Sequence, residues 1–164
     1  MPLSHELSFL YTDVATAAKQ LLGCVLERTL EDGVVRVRIV ETEAYHQSEA
    51  ASHSYGGGTI RKSPKFQEGG VLYVYFTVEP LEGAEIIGNN RPHVTEPQTT
   101  NGPAKLCQAL QINKRLNGHD ITKRPLILRA GALQTPETIT QTTRIGISKA
   151  VDMPWRFYIT ESRY

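Results

Sequence analysis

The chain is poor in the features that declare most function classes outright. It has only two cysteines, Cys24 and Cys107, too far apart for a metal-type pair, and the expectation is two free buried thiols in a reducing compartment. No apolar run is long enough to span a bilayer, and the start, MPLSHEL, lacks the shape of a secretory leader. The expected setting is therefore cytoplasmic and bacterial-type, near the nucleoid, with no membrane partner. The triplet at 56–58 is not followed by a phosphate-loop lysine, no strand–GxGxxG–helix unit occurs, and a serine hydrolase would lack its GxSxG turn. The histidines (His5, His46, His53, His93, His119) are scattered without helical pairing, so no metal and no cofactor is expected. Charge of one sign is also missing. Eighteen Lys and Arg against seventeen Asp and Glu leave a formal net charge of +1. Any nucleic-acid binding must then come from a local patch rather than from overall charge.

What is present is an ordinary globular composition, 40% hydrophobic and 21% charged, in 164 residues, a length that suits one domain over 1–164. Thr12 or Asp13 can cap a helix over 14–22 with Gly23 as its stop. A strand over 24–30 turns through Glu31-Asp32-Gly33 into a second strand over 34–45, followed by a loop over about 46–60. A third strand is expected at 71–78, and a helix within 101–112 capped by Asn101, with Pro103 near its first position. Short strands are expected at 125–131, 144–150 and 155–159. The fold class is α+β, a curved, mostly antiparallel sheet with a few flanking helices.

The run VVRVRIVETEAY (34–45) raises the functional question. Counted by twos, Val35, Val37 and Ile39 share a face with Glu41, Glu43 and Tyr45. A carboxylate of core-facing parity has to be paired, neutralised or used. The bland alternatives are a solvated strand end, a loop hydrogen-bonding role for His53, core positions for Tyr73, Tyr75 and Phe76, and plain exposure for Lys105. The chemical alternative is a slot for a flat heterocycle, with aromatic planes and a carboxylate that activates water. A small-molecule hydrolase using Glu41 and Glu43 together is a poor fit, because residues two apart on one strand cannot flank a bond.

The fragments VETEAY, ASHSYGG, YVYF, EPLEG, NGPAKLCQAL and RFYI occur in this order. Together they resemble the alkyladenine (3-methyladenine) DNA glycosylase family, from AAKQLLG near residue 17 to the C-terminus. The resemblance implies a monofunctional base-excision repair enzyme, a monomer acting on double-stranded DNA that contains a damaged purine. It makes Glu43 the base that activates water and Tyr45, His53 and Tyr75 the walls around a flipped base. Arg61 and Lys105 would contact DNA. Glu41, taken to lie deeper than Glu43, should find a partner in Arg36, Arg38 or another arginine.

One departure is serious. Where relatives continue beyond YVYFT with a further segment, FT here runs straight into VEP (78–80). The resemblance assigns to the missing stretch the side chain that wedges into the duplex, an asparagine beside the pocket and an arginine close to Glu43. A smaller departure is RKSPKF at 61–66. A segment absent from the sequence as written would spare the sheet an exposed edge; a true deletion would leave weak duplex activity or a DNA-binding remnant of the same fold.

Overall fold

The computed structural model describes residues 5–45, 73–96 and 98–164. The first described element is a 3-10 helix, His5–Tyr11, which the sequence pattern does not announce. Helix α1, Val14–Gln20, follows; the Asp13 carboxylate caps it, accepting the N–H groups of Ala15 and Thr16 at 3.1 and 3.0 Å. Gly23 ends that segment at φ +86, and a Cβ there would lie 2.6 Å from the Ala132 carbonyl oxygen.

Among the described residues, six strands form one sheet: β1 Val25–Leu30, β2 Gly33–Tyr45, β3 Tyr73–Glu82, β4 Leu126–Arg129, β5 Ile139–Thr142 and β6 Arg156–Ile159. All pairings are antiparallel. Strand β2 is the spine. Along one edge it pairs first with β1 and then with β6, and along the other with β3. Helix α2, Ala84–Asn90, and helix α3, Pro103–Ala109, complete the described elements with a short 3-10 turn at Lys114–Leu116.

The α+β antiparallel architecture agrees with expectation, as do the strands at 25–30, 33–45, 126–129 and 156–159. Several details differ. Helix α2 and strand β5 were not anticipated, and residues 144–150 form a loop rather than a strand. Asn101 does not cap α3: its Oδ1 accepts from Lys105 Nζ at 2.8 Å, and Gly102 holds the cap position. Cys24 is buried but Cys107 is exposed, and both are free thiols. Strand β3 runs through Thr77 and Val78 without a break, and Thr100 Oγ1 donates to the Val78 carbonyl at 2.7 Å. The loop expected over 46–60 lies outside the described residues.

The largest correction concerns parity. Ile39 pairs with Val78 but Glu41 pairs with Thr77, so Val40 is an extra residue, a β-bulge. Val35, Val37, Ile39, Val40 and Ala44 all belong to the buried core, and Thr42 Oγ1 donates to the Ala18 carbonyl of α1 at 2.8 Å. The core-facing set thus changes from odd to even numbers at the bulge. Glu41, Glu43 and Tyr45 lie on the opposite, polar face, with Arg36 and Arg38 from the other side of the bulge.

That polar face is laced with ion pairs. Glu27, buried, takes Arg36 at 3.0 Å and Arg129 at 3.2 Å, and Arg36 also meets Glu82. The buried Arg38 reaches Glu79 at 3.1 Å and Glu137 at 2.8 Å. Its hydrogen bonds are the main reason the Glu137 carboxyl falls from 4.5 to about 2, with the Gln134 N–H assisting. A depressed carboxyl stabilises the fold above its unfolded value and loses that contribution as pH falls through its folded value. Urea unfolding of the parent should therefore lose stability more steeply than Glu137→Gln between about pH 4.5 and about pH 2. Equal slopes would mean that the Arg38 cluster does not carry this dependence.

Candidate active site

At the end of β2 the polar face changes character. Among its described carboxylates, Glu27, Glu41, Glu79, Glu82 and Glu137 each touch a guanidinium. Glu43 is held by neutral donors instead. Tyr45 donates its phenol proton to Oε2 at 2.8 Å, and the backbone N–H of Ile145 donates to Oε1 at 3.0 Å. A carboxylate has about four acceptor sites. These two donors fix its plane and leave acceptor capacity for a water. The side chain is 8% exposed, at the boundary between core and solvent.

Glu41 has a different fate, the expected cationic partner coming from β6. Arg156 grips it at both oxygens, 2.8 and 3.2 Å. The hydrogen bonds to Glu41 push the Arg156 guanidinium up, against desolvation, and the charge of Glu43 adds to this. Arg156 is the direct cross-strand neighbour of Glu43, so it sets a positive charge beside that carboxylate while bonded to the next one. Glu41 is the shallower of the two glutamates, not the deeper, because the bulge turns both away from the core.

Tyr75 lies directly opposite Glu43 on β3, and its ring meets that of Tyr45 edge-on, with centroids 5.1 Å apart at 76°. The buried Arg144 packs its guanidinium 4.6 Å from the Tyr45 centroid and 5.6 Å from that of Trp155. Its two Nη atoms donate to the carbonyls of Ala44 and Ala150, both at 2.9 Å. Arg144 therefore ties the end of β2 to the 143–155 loop and backs one face of the Tyr45 ring.

The structure thus brings together Glu43, Tyr45 and Tyr75. Lys105 lies on α3, which packs against α2 and β3, and bonds to Asn101. His53 and Arg61 lie outside the described residues. The sequence reading missed Arg144 and Ile145, because RIGIS alternates like a strand. The available signal was Gly146, which sits at φ +68 and breaks the extended chain. Among the described residues, no group of three or more His, Cys, Asp or Glu could hold a metal ion, and no helix is long and apolar enough to cross a membrane.

Comparison with known proteins gives a consistent result. The family model described as methylpurine-DNA glycosylase matches in two segments, residues 8–79 and 77–163. A relative from Carboxydothermus hydrogenoformans, named "Putative 3-methyladenine DNA glycosylase", is 38% identical over 181 residues, covering 95% of each chain. Relatives of the same name from Methanoculleus marisnigri and Clostridium botulinum are 38% and 36% identical, covering 96% and 100% of this chain and 95% and 98% of their own. The last alignment has 201 positions and takes in all 164 residues, so tens of its positions have no residue here. The family match breaks and resumes at 77–79, two residues beyond Tyr75.

The two glutamates should respond differently to amide replacement. Glu41→Gln breaks a partly buried bidentate pair and leaves Arg156 short of a counter-charge, at a cost of about 1–3 kcal/mol in urea unfolding. A Glu41→Gln protein as stable as the parent yet inactive would overturn this division of roles.

Proposed function

The chain belongs to the methylpurine-DNA glycosylase family, and from that premise we propose that it excises alkylated or deaminated purines by water-mediated hydrolysis with Glu43 as the base. The family supports the broader role, a DNA glycosylase in base excision repair. The observation that carries the finer reading is a boundary carboxylate held by a phenol and a backbone amide instead of a guanidinium, beside two tyrosine rings.

In this reading the damaged nucleotide rotates out of the stack and its base enters beside Tyr45 and Tyr75. Arg144 backs one face of Tyr45, so the base uses the other. The resemblance gives His53 a share in holding the base, and Arg61 and Lys105 contacts to phosphates. An alkylated purine carries positive charge and is already a good leaving group. The bond from the sugar carbon to the base nitrogen breaks with its electron pair passing to the base, and an oxocarbenium-like sugar develops next to Glu43. Water held on Glu43 adds its oxygen to that carbon and gives its proton to the carboxylate. The products are a free base and an abasic site. No lysine forms a Schiff base, so the phosphate backbone is not cut.

A second reading, a remnant that keeps the fold and binds DNA without turnover, draws on the break in the family match at 77–79. Glu43→Gln separates the two. It keeps the shape and both donors but removes the base, so excision should fall at least about a hundredfold while lesion binding persists. A parent protein that binds lesions but turns over no faster than Glu43→Gln would favour the remnant.

A further inference from the structure

We propose that the side chain of Ile145 is the wedge that fills the base stack when the damaged nucleotide leaves it. This rests on the reading of Glu43 as the base, and it assigns to this chain a duplex-contacting residue outside the fragments that carry the resemblance.

Ile145 is 62% exposed, a costly place for a large aliphatic group unless it meets something apolar. Exposed single hydrophobics are common, and exposure alone would mean little. The position is what distinguishes it. Of the described exposed large hydrophobics, Tyr11 lies on the first 3-10 helix and Leu81 near the far end of β3, whereas Ile145 is bonded to the site itself. Its own N–H is the donor to Glu43 Oε1 at 3.0 Å. The sugar carbon under attack has to lie beside Glu43 with one water between them. The DNA strand then crosses the mouth of the site at the Ile145 side chain.

The mounting is rigid. Arg144, one residue earlier, is 4% exposed, and its two Nη atoms bond the Ala44 carbonyl on β2 and the Ala150 carbonyl on the returning limb of the same loop. The second exposed aliphatic of this loop, Val151, follows directly. A knob on a buttressed loop loses little conformational freedom on insertion. Apolar side chains of this kind, isoleucine among them, are what proteins push between base steps to hold a kinked duplex open. The family match breaks and resumes at 77–79, on the strand that carries Tyr75, and the Ile145 loop borders the same site from the other side of β2.

The test uses an oligonucleotide with hypoxanthine beside 2-aminopurine, whose fluorescence rises on unstacking, as duplex and as single strand. Parent, Ile145→Ala and Ile145→Leu are compared, all keeping the backbone N–H. Ile145→Ala should lower the duplex-to-single-strand ratio of base release by about tenfold and remove most of the fluorescence rise, while Ile145→Leu retains both. An unchanged ratio overturns the proposal, as does an equal fall on both substrates, which would mean that only Glu43 had been disturbed. If the parent releases no base at all, the Glu43 reading fails separately. The fluorescence then decides: a rise on duplex that Ile145→Ala abolishes supports the wedge, and an equal or absent rise overturns it.

Discussion

Val40 is one residue more than β3 can match, and the orientation of the whole site depends on that surplus. Before it, the odd-numbered residues of β2 enter the core; after it, the even-numbered ones do. Without the bulge, Glu41 and Glu43 would point into the core, where Thr42 now bonds α1 and Ala44 is buried, and two carboxylates would need partners in an apolar layer. With it, the same short sequence supplies a buried anchor (Thr42 on the Ala18 carbonyl) and a polar-face carboxylate on adjacent residues. Bulges re-aim side chains in this way where a strand leaves regular pairing.

The polar face then sorts its acids by the company they keep. From Glu27 to Glu41 the carboxylates are held by arginines on neighbouring strands, and a charge held in that way is stable and chemically quiet. At Glu43 the donors become a phenol and an amide, while Arg156 stays close but bonded to Glu41. Guanidinium-held and neutrally held carboxylates thus stand two residues apart on one strand face. The 143–155 loop completes the arrangement, because the bonds that hold Arg144 also fix the donor at Ile145.

Much of this was legible in the sequence. Alternation marked β1, β2 and β6, and Asp13 marked the start of α1, since each follows from local chemistry. The proposed role of Glu43 rests on short fragments in a fixed order rather than on periodicity. The bulge was not legible: Val40 is as apolar as its neighbours, and only the opposing strand reveals that one residue is unmatched. For the same reason the periodicity put Glu41 on the wrong side and at the wrong depth. Residues 144–150 look like a strand because they alternate, but Arg144 is held by two carbonyls in the folded chain, and Gly146 turns the backbone aside. Helix α2, AEIIGNN, is too short and polar to announce itself, and Gly83 at its cap supplies a left-handed φ rather than a side-chain signal. The run of Thr77 into Val78 was legible as a departure from the resemblance. Its structural consequence, one continuous strand, was not.

The central claim is that water, positioned by Glu43, replaces the base on the sugar. The most direct measurement is product analysis after a single turnover on an oligonucleotide carrying a methylated purine, with borohydride present in parallel. The account predicts free base, an intact strand bearing an abasic site, and no protein covalently trapped on the DNA. A borohydride-trapped adduct with strand cleavage, or no base release from any substrate, would contradict it.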